Sequence, residues 1–361
     1  MLWIMGIVPV LQALFTLVDV PFWPNISANF DHTPWVGLHF WDTIFPLFIF
    51  IVGISMSLSI KRRLQRRESR ARIYAHIIKR SLLLFLLGLV YNGLLDFDFA
   101  SLGYCGVLQR IAIAYLFGSL IVLHTNVRTQ AAIAAGLLLS YWALMTFVPV
   151  PRFGPGVLTP GENLHAYIDR MVLPGRLYNR VFDEDGLLQQ MSSISVALLG
   201  AVAGYWLGGP YSGKKKTVGF LAAGAVSICL GLIWHSLPRP IGFPMIFRLW
   251  SSSYVLVAVG YASVMLGLFY YIIDVKGYRK WAFPFIVIGL NPLTIYLVQE
   301  LFDFGIVVNI FLHGVVDSLG SYRLLVVSTC VLGTKWLSCI SCTKSGFSLV
   351  DRYIDNLQFP G

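Results

Sequence analysis

Apolar residues run through this chain in long unbroken blocks, separated by short polar stretches. Ten blocks stand out, at roughly 1–19, 39–60, 79–95, 107–123, 131–149, 190–207, 217–237, 252–273, 282–300 and 322–341. At 1.5 Å per residue the block at 39–60 makes a helix of about 33 Å, enough to cross a hydrocarbon core of about 30 Å. The blocks are continuous rather than alternating, which favours helices over β-barrel strands. The pattern predicts an all-α, polytopic helical membrane protein with about ten transmembrane helices, forming one domain over 1–361.

Composition agrees. Of 361 residues, 57% are hydrophobic and 12% charged, and the mean hydropathy is +0.73; soluble domains carry about 25% charged residues. The net charge of +10 does not imply nucleic acid, because the basic residues are concentrated in connections. Lys61, Arg62, Arg63, Arg66, Arg67, Arg70, Arg72, Lys79 and Arg80 supply nine of the 27, all in 61–80. The positive-inside rule makes that connection cytoplasmic. Alternation then puts 124–130, 208–216 and 274–281 on the same side, the last two carrying Lys214–Lys216 and Lys276, Arg279 and Lys280. Both termini are expected to be cytoplasmic, and residues 1–19 lack the basic start and cleavage site of a removable signal.

The opposite side receives 20–38, 96–106, 150–189, 238–251 and 301–321. The 150–189 loop is the longest, rich in proline and glycine, and a long ordered loop is often a functional element or lid. His32 lies in the first of these outer loops, in Phe30-Asp31-His32-Thr33-Pro34-Trp35-Val36-Gly37. Ionisable groups in a membrane are costly and tend to face a cavity or one another. Here Asp19, Asp42, Asn92, Asp96, Gln109, Arg110, Asn291, Glu300 and Asp303 gather toward the outer helix ends, Asn291 lying mid-block. This asymmetry predicts a polar chamber open to the outside with His32 at its rim; the structural alternative for Arg110 is to snorkel, or to pair with Asp96 or Asp42 simply to hold the bundle. His32 is then a candidate general base or nucleophile, with Asp42 a better orienting carboxylate than its sequence neighbour Asp31. No Walker loop, G-x-S-x-G, H-E-x-x-H or Cys/His metal spacing is present, so no metal is expected. Cys339 and Cys342 form a C-x-x-C that reads as helix-end packing.

Several segments, in order, resemble the heparan-α-glucosaminide N-acetyltransferase family, in the form of bacterial homologues without the animal enzyme's lumenal domain. The strongest is His32-Thr33-Pro34-Trp35-Val36-Gly37 followed by Asp42 and Phe45-Pro46-Leu47-Phe48-Ile49-Phe50-Ile51-Val52-Gly53. Others are Gly106-Val107-Leu108-Gln109-Arg110, Val148-Pro149-Val150-Pro151-Arg152, Ala166-Tyr167-Ile168-Asp169-Arg170, Asp185-Gly186-Leu187-Leu188, Leu249-Trp250-Ser251-Ser252-Ser253-Tyr254 and Gly289-Leu290-Asn291-Pro292-Leu293. The chain departs from the family at its start, which is nearly inside the first helix, in its last span, and at Val36, where the animal enzyme has Asn.

The resemblance implies a transmembrane acetyltransferase of the bacterial inner membrane, moving acetyl from cytosolic acetyl-CoA to an extracytoplasmic amino sugar or glycan. His32 and Asp42 would be catalytic. Gln109, Arg110, Trp250, Ser251 and Asn291 would line the acetyl-CoA site, and Trp35 and Asp19 the acceptor site. Exposed apolar helices permit a homodimer. From another class, a transporter or flippase for a polar solute would use the same outer chamber, although no inverted repeat or paired broken helices support it.

Overall fold

The computed structural model describes residues 2–18, 26–178, 180–290 and 292–344. Among them the chain is helical, with isolated β-bridges but no strand. Eight helices are long and apolar enough to cross a membrane: Trp41–Gln65, Arg70–Tyr91, Val107–His124, Val127–Phe147, Gln190–Leu207, Gly213–Ser236, Ser252–Val275 and Ser318–Ser341. The chain is therefore a polytopic helical membrane protein.

These eight coincide with eight of the ten apolar blocks. The block at 282–300 is two helices, Lys280–Leu290 and Pro292–Gln299, inclined 64° to each other; counted as one span they raise the total to nine. Asn291 lies outside the described residues, as does Asp19. The first block divides at Gly6, whose φ of +108° no side-chain-bearing residue adopts readily. The 12-residue helix Ile7–Val18 that follows rises only about 18 Å, short of a bilayer core. Residues 301–321, expected as a loop, hold the helix Phe304–Val316.

The basic connection is shorter than expected. The helices run on through Lys61–Gln65 and begin again at Arg70, leaving only 66–69 as a turn. Hydropathy marks where lipid contact stops; Lys and Arg are good helix formers, so the backbone ladder continues past it. Ser69 caps the second helix by accepting from the Arg72 amide.

The fold comprises two bodies, residues 31–275 and residues 1–30 with 276–361. In the smaller, Met5, Val287, Ile288, Ile295 and the buried Cys339 pack together. The larger is a bundle of seven long helices. Its helix ends alternate, so the turns at 66–69 and 208–212, the first holding Arg66 and Arg67 and the second leading into Lys214–Lys216, share one end. Residues 31–40, 92–106, 148–189 and 237–251 meet at the other. The Gly37 amide donates to Met245 O at 2.9 Å, Arg176 N to Leu102 O at 3.2 Å, and the Trp35 indole to Leu158 O at 3.0 Å. The sequence-derived grouping of these four loops is thus realised as contact.

Close helix packing holds the bundle where lipid supplies no hydrophobic drive between helices. A Cβ on Gly53 would run into the Ala197 carbonyl, one on Gly200 into the Phe50 carbonyl, and one on Gly204 into the Ser57 hydroxyl. Ile44–Gln65 and Gln190–Leu207 therefore touch backbone to backbone, setting where the first helix, with Asp42 just before it, sits. Gly200→Val is predicted to cost about 1–3 kcal/mol by overpacking and to lower the thermal midpoint in detergent. Gly136→Ala, where a Cβ meets nothing within 4 Å, leaves the midpoint unchanged or higher.

Candidate functional site

The site begins with a short turn. Trp41–Thr43 is a 3-10 turn that leads into Ile44–Gln65, and it carries Asp42 inward, with no solvent exposure. A buried carboxylate must be hydrogen-bonded. The Asp42 carboxylate collects four donors. Oδ2 accepts from the Thr33 hydroxyl at 2.7 Å, the His39 amide at 2.9 Å and the Thr33 amide at 3.4 Å. Oδ1 lies 2.7 Å from His32 Nδ1. Gly37, at φ +126°, lets the chain reverse between Thr33 and His39. The Asp42 carbonyl accepts from the Tyr254 hydroxyl at 2.6 Å, tying the turn to the helix Ser252–Tyr270.

These contacts fix the tautomer of His32. The Trp41 indole N–H lies 3.1 Å from Nε2, and an indole can only donate. Nε2 therefore carries a lone pair, and the neutral ring keeps its proton on Nδ1, donated to Asp42. The ring stacks on Phe247, with centroids 4.5 Å apart and planes 8° apart. The side chain is 41% exposed, so the pair joins a buried carboxylate to a reachable imidazole. His39 is elsewhere occupied, its Nδ1 donating to Asp31 O at 2.9 Å.

The loop at 243–251 supplies the wall behind His32. Val36 bridges to Ile246, the Met245 amide donates to His235 Nδ1 at 3.0 Å, and the Ile246 amide donates to Ser251 Oγ at 3.0 Å. Ser251 is thus a buried fold-holding hydroxyl. Trp250 is buried at φ +47°, an unusual conformation for a bulky residue. It is held there because its carbonyl accepts from Ser192 Oγ at 2.9 Å and its ring carries the Arg110 guanidinium, 4.3 Å from the ring centre.

Arg110 does not pair with Asp96 or Asp42. Its Nη2 donates to the Glu184 carbonyl at 3.0 Å and to the Gln189 side chain, and its Nε lies 3.3 Å from Asp185. Asp96 is exposed at the end of its own helix, where it serves a local turn. The 150–189 loop instead folds back over the helix ends and brings its own acids to the guanidinium. Arg110 Nη1 and Gln109 Nε2 are buried with no hydrogen-bond partner. Trp35, in the 31–40 segment, packs against the 150–189 loop, edge-on to Phe182 at 5.9 Å.

That loop also holds a buried cluster that sequence reasoning missed. The helix Leu164–Val172, capped by Asn163, presents His165 and Asp169 on one face. His165 Nε2 lies 2.8 Å from Asp183 O, 2.9 Å from the Gln189 amide nitrogen and 3.2 Å from Asp169 Oδ2. Asp169 accepts from the Leu187 and Asp183 amides. The i, i+4 spacing of His165 and Asp169 was the available signal, but without the helix it had no geometry to act on. Trp41, Phe247 and Tyr254 were missed because nothing local distinguishes them from ordinary aromatic packing.

The fold and this half-exposed His on a buried Asp define a multi-pass membrane protein with a candidate proton-transfer or acyl-transfer centre at the bundle end away from the basic turns. The catalytic-region model of heparan-α-glucosaminide N-acetyltransferase matches residues 8–168. The curated enzyme of that name from Homo sapiens is 30% identical across 81% of this chain and 51% of its own length. The Mus musculus enzyme is likewise 30% identical, with 52% of its length covered. The chain is similar to the heparan-α-glucosaminide N-acetyltransferase family over most of its own length, and it spans about half the length of these relatives.

Burial drives the titration of the loop cluster. It pushes His165 down to about 4 and lifts Asp169 and Asp185 to about 6. The ordinary values are 6.5 for His and 3.8 for Asp. The folded His165 resists a proton that the unfolded chain takes up, so its stability contribution is present above pH 6.5 and is lost as pH falls toward 4. The two raised acids act oppositely: the folded state takes up protons first, so their contribution grows as pH falls through 6 toward 3.8. Removing the imidazole in His165→Gln is predicted to leave the acid contribution unopposed. Its thermal midpoint, relative to the parent's, then rises as pH is lowered from about 6.5 to about 4.5.

Proposed function

We propose that this protein transfers acetyl from acetyl-CoA to the amine or hydroxyl of a sugar, with His32 Nε2 as the reactive atom. The observation that carries this is the His32–Asp42 pair: a buried carboxylate holds Nδ1–H and leaves the Nε2 lone pair on a half-exposed ring. Similarity to the family supports acetyl transfer, since the relatives are named for acetylating heparan-α-glucosaminide. The positive-inside rule supports placing the His32 end outside the cytoplasm, because the basic turns crowd the opposite end. A bacterial inner membrane is the setting this reading assigns.

Two routes use the same lone pair. As a base, Nε2 takes the acceptor's proton while its N or O attacks the thioester carbonyl, and the C–S bond breaks to release CoA thiolate. As a nucleophile, Nε2 attacks the carbonyl, CoA leaves, and the acetyl-imidazole passes its acetyl to the acceptor. Asp42 orients the ring in both routes and balances the positive charge that develops on it. Label retained on the protein from acetyl-CoA without acceptor marks the second route. Its absence during turnover marks the first.

The remaining assignments extend this reading. Gln109 Nε2 and Arg110 Nη1, buried donors without partners, are offered to the polar groups of acetyl-CoA, with Trp250 and Ser251 shaping the wall that holds them. Trp35, with its N–H committed to Leu158, offers a ring for the acceptor. Asn291 and Asp19 retain their proposed roles from the sequence resemblance.

The test is transfer of labelled acetyl from acetyl-CoA to glucosamine-type acceptors by purified protein in detergent. His32→Ala is expected to lose about 10²–10⁴-fold in kcat. Asp42→Asn is expected to lose about 10²-fold or more with little change in the KM for acetyl-CoA. Wild-type activity in His32→Ala would refute the assignment.

A further inference from the structure

The reactive nitrogen of His32 is not free. Nδ1 is held by Asp42 at 2.7 Å, one ring face is covered by Phe247 at 4.5 Å, and Nε2 receives the Trp41 indole N–H at 3.1 Å. The two rings meet nearly edge-on, with planes 81° apart and centroids 6.1 Å apart, so the indole points at the lone pair rather than stacking on the imidazole. Both routes of acyl transfer need that lone pair. A base must accept the acceptor's proton there, and a nucleophile must form its bond there.

Three of the ring's approaches are thus occupied, and they differ in how readily they can be vacated. Asp42 is fully buried and bound to three other donor groups. Phe247 is buried and stands edge-on to Tyr254. Trp41 is partly exposed, at the start of the turn, and its N–H contact with His32 is solvent-accessible. It is the partner that can leave at the least cost. What it supplies is one hydrogen-bond donor aimed at Nε2, which is also what a sugar amine or hydroxyl brings before its proton is taken.

We propose that Trp41 caps His32 Nε2 by standing in for the acceptor's N–H or O–H, so that an amino- or hydroxyl-bearing sugar binds productively by displacing the indole. This rests on the acyl-transfer role of His32 given above. The cap shields the lone pair from acetyl-CoA and water while no acceptor is present, and acceptor binding is weakened by the hydrogen bond it must replace.

The test reads the cap without relying on acetyl transfer. Diethyl pyrocarbonate is attacked by an unprotonated imidazole nitrogen, which gains an ethoxycarbonyl group as ethyl carbonate departs. Carbethoxylation of His32 is followed by peptide mass spectrometry in the parent, Trp41→Phe and Trp41→Met, without substrates. Loss of one ordinary hydrogen bond, about 1 kcal/mol, corresponds to about a fivefold faster rate in the variants. Equal rates would overturn the cap. In steady state, Trp41→Phe is expected to lower the KM for the acceptor by a similar factor, raise acetyl-CoA hydrolysis without acceptor, and leave kcat near the parent value. A raised KM with a lost kcat would instead make Trp41 a helper of the acceptor and would also overturn the proposal. If both variants unfold, His32→Gln tests the contact from the other side: freeing the indole N–H is expected to quicken its deuterium exchange about fivefold, and unchanged exchange counts against the cap. If no variant or parent transfers acetyl, the function proposed above fails while carbethoxylation still decides the cap.

Discussion

The end of the bundle opposite the basic turns is organised around one buried carboxylate. Asp42 has no solvent of its own, so every oxygen lone pair it offers must be met by the protein. The chain meets that demand by folding 31–40 back over it, and His32 is positioned as one of the four donor groups that result. The tautomer of His32 follows from the same requirement, because the nitrogen facing a buried carboxylate oxygen carries the proton. The reactive nitrogen is consequently the one turned away from Asp42.

What keeps Asp42 buried is the packing beneath it. The helix it introduces meets Gln190–Leu207 through glycines that allow no Cβ, which leaves little room for the turn to shift. Tyr254 ties the Asp42 carbonyl to a third helix, and the same helix begins next to Trp250. Trp250, in its left-handed conformation, holds the Arg110 guanidinium against its face. Arg110 in turn gathers Glu184, Asp185 and Gln189 from the long loop. A continuous run of contacts therefore links the catalytic candidates to the loop cluster, although the two do not share a hydrogen bond. Breaking one partner of a buried pair strands the other, which makes such clusters costly to disturb.

The helices were legible in the sequence because lipid imposes one simple demand, continuous apolar length, and hydropathy reads it directly. Two blocks failed as single spans: the first divides at Gly6, in a left-handed backbone conformation, and that at 282–300 is two helices inclined 64° to each other. That His32 lies at the bundle end opposite the basic connections was legible from their alternation, and the Asp42 partnership from the preference for a carboxylate that is not an immediate neighbour. The partner of Arg110 was not legible. Asp185 is 75 positions away, and only the folded loop shows that it, rather than Asp96, reaches the guanidinium. Trp41 was hidden for a different reason: an aromatic beside a membrane helix end is common, and only the direction of its N–H sets it apart.

Nitrogen-15 NMR of protein labelled in the histidine rings tests the account most directly, with His32 assigned by its loss in His32→Gln. At about pH 8, where an ordinary imidazole is neutral, His32 is expected to carry a protonated Nδ1 and an unprotonated Nε2, with a mixture of tautomers in Asp42→Asn. A proton resident on Nε2, or a spectrum unchanged when Asp42 is replaced, would contradict it.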